Sequence, residues 1–149
     1  MRGLNKGLIL IVGVVFFIAC GKKNTESNEL SFNEKIKLRQ YKVQGEGLYL
    51  MHCGNCHQAD GSGLGRLIPP LDKNTTISNN RNQIMCVIKY GMEGPLKING
   101  LEYDGKMPGN AELTNLEIAE IITFVGNSWG NSIGIVLSSD VEKGMLTCQ

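Results

Sequence analysis

The chain has 149 residues, of which 42% are hydrophobic and 19% charged, and its formal net charge at pH 7 is +1. This length suits one domain, and the composition is that of an ordinary folded protein, which excludes a fibre or a wholly disordered chain. The charge becomes −1 if the first 19 residues are removed, because they hold two cations and no anion. A balance so close to neutral argues against nucleic acid as a partner.

Those first 19 residues have the order of a secretory signal. Arg2 and Lys6 precede an unbroken apolar run, Leu8–Ile18, which is followed by small Ala19 and then Cys20. A membrane-spanning helix needs about 20 apolar residues. The run has only 11, so the segment indicates export and not a permanent span. Export means an oxidising compartment, in which spare cysteines can form disulfides.

The stretch FIAC, residues 17–20, resembles the lipobox of bacterial lipoproteins, in which a signal peptidase cuts just before a cysteine that is then lipidated. The resemblance implies that Cys20 is the lipid attachment site and the new N-terminus. The protein would then be exported and held on a bacterial membrane, with the periplasmic side expected. The alternative is an ordinary signal peptide, in which Cys20 has no such role.

Residues 20–38 are predicted to be a polar tether, and residues 39–149 to be the folded domain. From Gly21 to Leu38 the chain is rich in Lys, Asn, Glu and Ser, and it lacks a sustained apolar period until near its end. A flexible coil of about 18 residues would average roughly 23 Å from end to end, which lets a domain move above a membrane.

Short helices and long glycine-bearing loops are predicted within the domain. QGEGLYLMHC, residues 44–53, has apolar residues at helical spacing despite two glycines. NRNQIMCVIKYG, residues 80–91, is predicted to be a helix that ends at its glycine. Between these helices, residues 61–80 are rich in Gly, Pro, Asn and Ser, which is typical of an irregular loop.

A hairpin and two more helices complete the domain. Residues 96–103 are predicted to form a small hairpin around an Asn-Gly pair. Thr114 with Glu117 three positions later is a capping box, and an apolar period follows it, which predicts a helix. Another short helix is predicted to start at Ser139 or Asp140. Short helices and glycine-rich loops supply too few apolar side chains to fill the interior of the domain. Something other than side chains is therefore expected to fill it.

Cys53, Cys56 and His57 form a C-x-x-C-H motif, the attachment signature of c-type haem. One helical turn lets both thiols reach the haem vinyl groups while the histidine lies under the iron as an axial ligand. One covalent haem c is therefore the expected cofactor. A structural zinc site needs four ligands, and no second such motif occurs in the chain. A thioredoxin-like dithiol would follow a hydrophobic strand, which is not predicted here.

The region over residues 41–129 resembles a monohaem class I cytochrome c. In that family a glycine, an aromatic residue and the first haem cysteine recur at intervals of four, and Gly45, Tyr49 and Cys53 match them. The resemblance implies an all-α fold, with short helices and loops wrapped around one covalently bound haem. It also implies that Tyr49 packs on the haem side, against the C-terminal helix, where Ile121 and Phe124 are the matching positions.

The resemblance extends to the second axial ligand of the iron. GKMPG, residues 105–109, resembles the loop that supplies the distal methionine, which implies that Met107 faces His57 across the haem. The other histidine, His52, is tied beside the attachment point and is not expected to reach the opposite face. Met92 and an open sixth position are the alternatives.

Two further pairs of residues have predicted roles. In the cytochrome c family a proline carbonyl accepts the N–H of the proximal imidazole, and Pro69 fits that pattern best, with Pro70 as the alternative. Either proline could instead only stiffen the loop. Cys86 and Cys148 are a possible disulfide in an exported protein. Otherwise Cys86 would be buried and Cys148 an exposed thiol.

Histidine and methionine ligation suits electron transfer, because a neutral thioether raises the potential and a filled sixth position denies the iron to oxygen or peroxide. We therefore expect no enzyme and no small-molecule substrate. The expected function is single-electron transfer in a respiratory chain, between donor and acceptor redox proteins among membrane respiratory complexes. The alternatives are a cytochrome subunit of a larger dehydrogenase or oxidase, and a haem sensor or peroxidase with a labile sixth ligand.

Overall fold

The computed structural model describes residues 30–73, 77 and 79–148. The predicted signal, Cys20 and the start of the predicted tether lie outside these residues. The helices are α1 (Phe32–His52), α2 (Gly54–His57), α3 (Arg81–Tyr90), α4 (Asn115–Val125) and α5 (Ser138–Met145). The short strands are β1 (Gly91–Met92), β2 (Leu96–Ile98), β3 (Leu101–Tyr103) and β4 (Met107–Pro108). The fold is mainly helical, as expected. In the ranges described, no helix is both long and apolar enough to cross a membrane.

Helix α1 begins well before the predicted start at residue 44, and it includes residues 32–38, which were assigned to the tether. The Ser31 hydroxyl accepts the N–H of Glu34 at 3.3 Å, and the Glu34 carboxylate accepts the N–H of Ser31 at 2.8 Å. This capping box satisfies two free donors at the helix start. The first seven positions from Ser31 are nevertheless exposed, and Leu38 is the first partly buried residue of the helix.

Helices α1 and α4 cross at Gly45, which is buried. A Cβ atom at this position would overlap the Glu120 carbonyl and approach Cβ of Phe124 to 2.9 Å. Only glycine therefore allows the two backbones to come this close. The contact sets the position of the C-terminal half of α1, from which the C-x-x-C-H motif continues.

Helix α4 forms the centre of the core, and its predicted capping box is confirmed. The Thr114 hydroxyl accepts the Glu117 N–H at 3.3 Å, and the Glu117 carboxylate accepts the Thr114 N–H at 2.8 Å. The buried residues of this helix are Ile118, Ala119, Ile121, Ile122, Thr123, Phe124 and Val125. Burial of nearly every side chain in its second half explains the strong apolar signal in the sequence.

Two antiparallel pairs of strands occupy the segment between α3 and α4. Strands β2 and β3 form the predicted hairpin, with Leu96 opposite Tyr103 and positive φ angles at Asn99 and Gly100. Strands β1 and β4 pair across that hairpin, with Met92 opposite Met107. This second pair was not predicted, because two-residue strands carry no recognisable alternation.

The C-terminal segment folds back onto α3. Helix α5 starts one residue before the predicted range, and the Asp140 carboxylate accepts the Leu137 N–H at 2.9 Å. Cys86 in α3 and Cys148 after α5 form a disulfide. Of the two possibilities left open by the sequence, the bridged form is present.

Candidate functional site

An apolar cavity lies between the end of α1, helices α3 and α4, and the strand-bearing segment. The aliphatic and aromatic side chains that line it include Ile84, Val87 and Ile88 of α3, Ile98 and Tyr103 of the hairpin, and Ile121, Ile122 and Val125 of α4. This cavity is the interior space that the sequence predicted side chains would not fill. A largely apolar group would bind there favourably, because binding removes apolar surface from water.

The C-x-x-C-H residues enter the cavity from one short turn of helix. Cys53 ends α1, and its carbonyl accepts the N–H of Cys56 at 3.1 Å and of His57 at 2.9 Å. That single turn brings both sulfurs and the imidazole to the same cavity wall. Both thiols are free. Two free thiols beside an apolar space are the arrangement that covalent attachment of a porphyrin requires.

His57 is held by the backbone of the following loop. Its ring is buried, and Nδ1 lies 3.1 Å from the carbonyl oxygen of Pro69. A carbonyl can only accept, so Nδ1 carries the proton and Nε2 is the atom left to bind a metal. Burial lowers the pKa of His57, while the bond to Pro69 acts in the opposite direction. The neutral ring that results is the form that ligates iron.

The same geometry disfavours the two other uses of the motif. Burial, and secondarily the charge of Cys56, raises the pKa of Cys53 to about 11. A reactive dithiol needs a lowered thiol pKa, so a thioredoxin-like role does not fit. Within residues 30–73, 77 and 79–148, no three His, Cys, Asp or Glu side chains group as a metal site would require.

Met107 and Met92 approach the cavity together. They are Cα partners in the β1–β4 pair, and both line the cavity. Directly opposed residues of an antiparallel pair extend to the same face, so two thioethers enter from one side. His52 is exposed, does not line the cavity, and its Nδ1 lies 3.0 Å from Nδ2 of Asn110. The structure thus brings both methionines to the site and leaves His52 outside it.

Three aromatic rings pack beside the turn that carries the C-x-x-C-H residues, and one of them, Tyr49, also lines the cavity. Tyr49 is fully buried and lies within 5.5 Å of Phe124 and 5.2 Å of Trp129, measured between ring centroids. Its hydroxyl donates to the carbonyl of Gln58 at 2.5 Å. Burial raises the pKa of Tyr49, which keeps this donor protonated. Trp129 and Gln58 were not predicted as supporting residues. The chain's one tryptophan, directly before Gly130, was the sequence feature that could have indicated this aromatic cluster.

The family model for cytochrome c matches residues 43–129, which is more than half of the chain. The chain belongs to the cytochrome c family. As a cytochrome c, it carries covalently bound haem c. The apolar cavity, the two free thiols and the oriented neutral imidazole fit that group.

Two kinds of cytochrome c are among the relatives. The chain is 30% identical over 84 residues to cytochrome c-552 of Thermus thermophilus, which covers 54% of this chain and 64% of that protein. It is 35% identical over 104 residues to the cytochrome c subunit of alcohol dehydrogenase (quinone) from Gluconacetobacter polyoxogenes, covering 68% and 22%. For the same subunit of Gluconobacter oxydans the values are 33% over 102 residues, 66% and 21%. The match thus spans less than two thirds of each relative.

Proposed function

We propose that this cytochrome c is a single-electron carrier in which His57 and Met107 would ligate the haem iron. The observation that carries the proposal is one apolar cavity that is lined both by the C-x-x-C-H residues and by Met107. The haem, when bound, supplies an iron that gains and loses one electron reversibly. A thioether ligand together with imidazole would favour its reduced state.

The side chains around the site are held in fixed positions, which favours the gain and loss of an electron by the iron. Pro69 orients the His57 ring through its carbonyl, and the buried aromatic cluster fixes the turn that precedes it. Aliphatic walls limit the access of water, which raises the energy of the more highly charged oxidised state. In this proposal the residues of the site hold and orient the haem, and none of them acts on a substrate.

The proposed location is the periplasmic side of a bacterial membrane, with the protein anchored through acylated Cys20. The order of charge, apolar run and small residue over residues 1–19 supports export, and the FIAC stretch supports acylation. The Cys86–Cys148 disulfide agrees with an oxidising compartment. The proposed partners are donor and acceptor redox proteins of a membrane respiratory chain.

A second candidate is a cytochrome subunit of a larger dehydrogenase. It is favoured by the 35% identity over 68% of the chain to a subunit of that kind. Purification from gently solubilised membranes separates the two candidates. A free carrier elutes alone, whereas a subunit elutes in fixed proportion with a larger protein.

Replacement of the methionines tests the ligand assignment, because both line the cavity. In Met107→Ala we expect loss of the methionine-ligand band in the oxidised spectrum and a fall in midpoint potential on the order of 0.1 V, part of the about 0.8 V that axial ligands span. Met92→Ala is the matched control and should retain the band. The measurements are oxidised and reduced spectra and a potentiometric titration.

Two outcomes would contradict the proposal. If Met92→Ala loses the band and Met107→Ala keeps it, the ligand assignment is wrong. If the unmodified reduced protein binds carbon monoxide readily, its sixth position is open, and a sensor or peroxidase replaces the carrier as the better candidate.

A further inference from the structure

Helix α1 has an exposed apolar stripe on the side away from the domain. The stripe consists of Phe32, Ile36, Val43 and Leu50, with exposed fractions of 76%, 43%, 62% and 48%. An α-helix turns by about 100° per residue, so these four positions fall within an arc of about 40°. The buried Gly45 lies on the opposite face of the same helix, against α4.

The cavity does not use this stripe. None of its four residues lines the cavity. From Phe32 to Leu50 it extends roughly 27 Å along the helix, at about 1.5 Å per residue. Arg39 and Glu46 lie between the apolar members of the row. Isolated apolar side chains are common on protein surfaces, whereas an aligned row of four, mixed with charged residues, is typical of an interaction surface.

The positive charge of the domain is concentrated on the helix that carries the stripe. Residues 32–52 contain four Lys or Arg and two Glu, whereas residues 53–148 contain seven Lys or Arg and ten Asp or Glu. By the same 100° rotation, Arg39 falls in line with the stripe and Lys35 falls beside it. Glu46 falls between these two, so the charge along this border is basic by one. Long basic side chains in these positions can lie along an apolar surface and extend their charges to an anionic one.

We propose that the α1 stripe binds a lipid bilayer that contains anionic lipid, so that α1 lies in the plane of the interface. An apolar face with Lys and Arg along one border resembles the pattern of helices that bind there. The proposal rests on the proposed acylation of Cys20, which lies 12 positions before Phe32 and would hold the helix close to a bilayer.

A second copy of the chain is the competing occupant, because Ile36, Val43 and Leu50 are spaced by seven residues. Two α1 helices would bring like charges together, since each has an excess of two basic residues. Anionic lipid attracts the same charges. The charge therefore favours the bilayer over self-association.

The test is radical footprinting of the full-length protein, with radicals generated by water radiolysis and labelling read by peptide mass spectrometry. The protein is placed in vesicles of phosphatidylcholine alone or with phosphatidylglycerol. We expect labelling of Phe32 and Val43 to fall at least twofold in the anionic vesicles. Leu146, which is 84% exposed on another element, serves as the internal control and should be labelled equally in both.

A double variant measures how strongly Phe32 is labelled when the stripe does not bind the bilayer. Ile36→Gln with Val43→Gln removes two apolar groups that are already exposed, so the fold should persist, which the haem spectrum checks. In this variant Phe32 should be labelled equally in both vesicles. The matched control, Leu146→Gln, should behave as the unmodified protein does.

Three results would overturn the proposal. The first is equal labelling of Phe32 in the unmodified protein and in the double variant. The second is equal protection in both vesicles, which excludes anionic lipid as the partner. The third is protection that rises with protein density at constant lipid composition, which identifies a second copy.

The mass of the N-terminal peptide reports acylation separately. If Cys20 carries no lipid, the anchor fails as a proposal, and co-sedimentation of the full chain with the same vesicles tests the stripe.

Discussion

His57 is oriented by a main-chain carbonyl and a close-packed glycine. A Cβ atom at Gly63, where φ is +69°, would meet the Pro69 carbonyl oxygen at 2.7 Å, and the Gly63 N–H donates to the His57 carbonyl at 3.0 Å. The loop can thus close over the imidazole only with glycine at this position. The sequence predicts the partner of His57 as Pro69 but contains no sign of this packing, which depends on contacts made only in the folded chain.

Tyr49→Phe tests the hydrogen bond that the Tyr49 hydroxyl donates to the Gln58 carbonyl, directly after the C-x-x-C-H motif. The ring contacts with Phe124 and Trp129 remain in this variant, but the Gln58 carbonyl loses its donor. An unpaired, partly buried acceptor costs about 1–3 kcal/mol, so the free energy of unfolding should fall by that amount. Urea unfolding of the haem-loaded protein measures it.

Tyr90→Phe is the control for this change, because Tyr90 is largely exposed. Equal stabilities of the two variants would mean that the Tyr49 hydroxyl contributes nothing to the fold.

At the level of elements, the sequence was most informative where several signals coincide. Helix α4 combines a capping box with a sustained apolar period, and its start was predicted to the residue. Helix α1 has an equivalent box at Ser31 and Glu34, but the polar residues around it obscured the signal. Helix α1 also carries apolar residues on two opposite faces, so no single face dominates its periodicity.

Gly45 and Gly47 of α1 offer a matched pair of substitutions. A Cβ atom at Gly45 overlaps α4, whereas at Gly47 no atom lies within 4 Å. Gly47→Ala should therefore raise the free energy of unfolding by about 0.5–1 kcal/mol through helix propensity. Gly45→Ala should lower it by roughly 1–3 kcal/mol through overpacking. Denaturant unfolding of both variants checks the opposite signs, and a change of the same sign in both would refute the close contact.

The capping box of α4 predicts a dependence on pH. Hydrogen bonds from Thr114 lower the pKa of Glu117. A carboxyl group whose pKa is lower in the folded state stabilises it above the unfolded pKa of about 4.3, and loses that contribution as the pH falls through the folded value. Glu117→Gln should therefore be less stable than the unmodified protein at pH 7 and equally stable at pH 2.5.

Chemical unfolding at several pH values measures this difference. Glu142→Gln, at an exposed position of α5, is the control. A deficit of Glu117→Gln that persists unchanged at pH 2.5 would show that the glutamate acts through its shape and not its charge.

For the molecule as a whole, the haem motif and the family resemblance predicted the architecture better than local propensity did. The C-x-x-C-H motif and Met107 come to one cavity, although 50 positions separate His57 from Met107. The β1–β4 pair that aligns Met92 with Met107 was not predictable, because its residues meet only after the intervening hairpin folds. The domain boundary at residue 39 remains a prediction.

The Cys86–Cys148 disulfide joins residues 62 positions apart, and it should contribute to global stability. Replacing both cysteines with serine is expected to lower the free energy of unfolding by about 2–4 kcal/mol, chiefly because the unfolded chain is no longer constrained. The haem spectrum should be unchanged, since neither cysteine lines the cavity. Urea unfolding and oxidised and reduced spectra test both parts. A shifted spectrum would show that α3 depends on the bridge to keep its place beside the haem.

The same disulfide bears on how the cytochrome matures. Residues 30–148 contain four cysteines, which permit three ways of forming two bridges. Haem attachment needs Cys53 and Cys56 as free thiols, while Cys86 and Cys148 form a disulfide in the same domain. Early closure of the Cys86–Cys148 bridge leaves Cys53 with Cys56 as its one remaining partner in the domain. A single reduction would then free both thiols for haem attachment and leave the Cys86–Cys148 bridge closed.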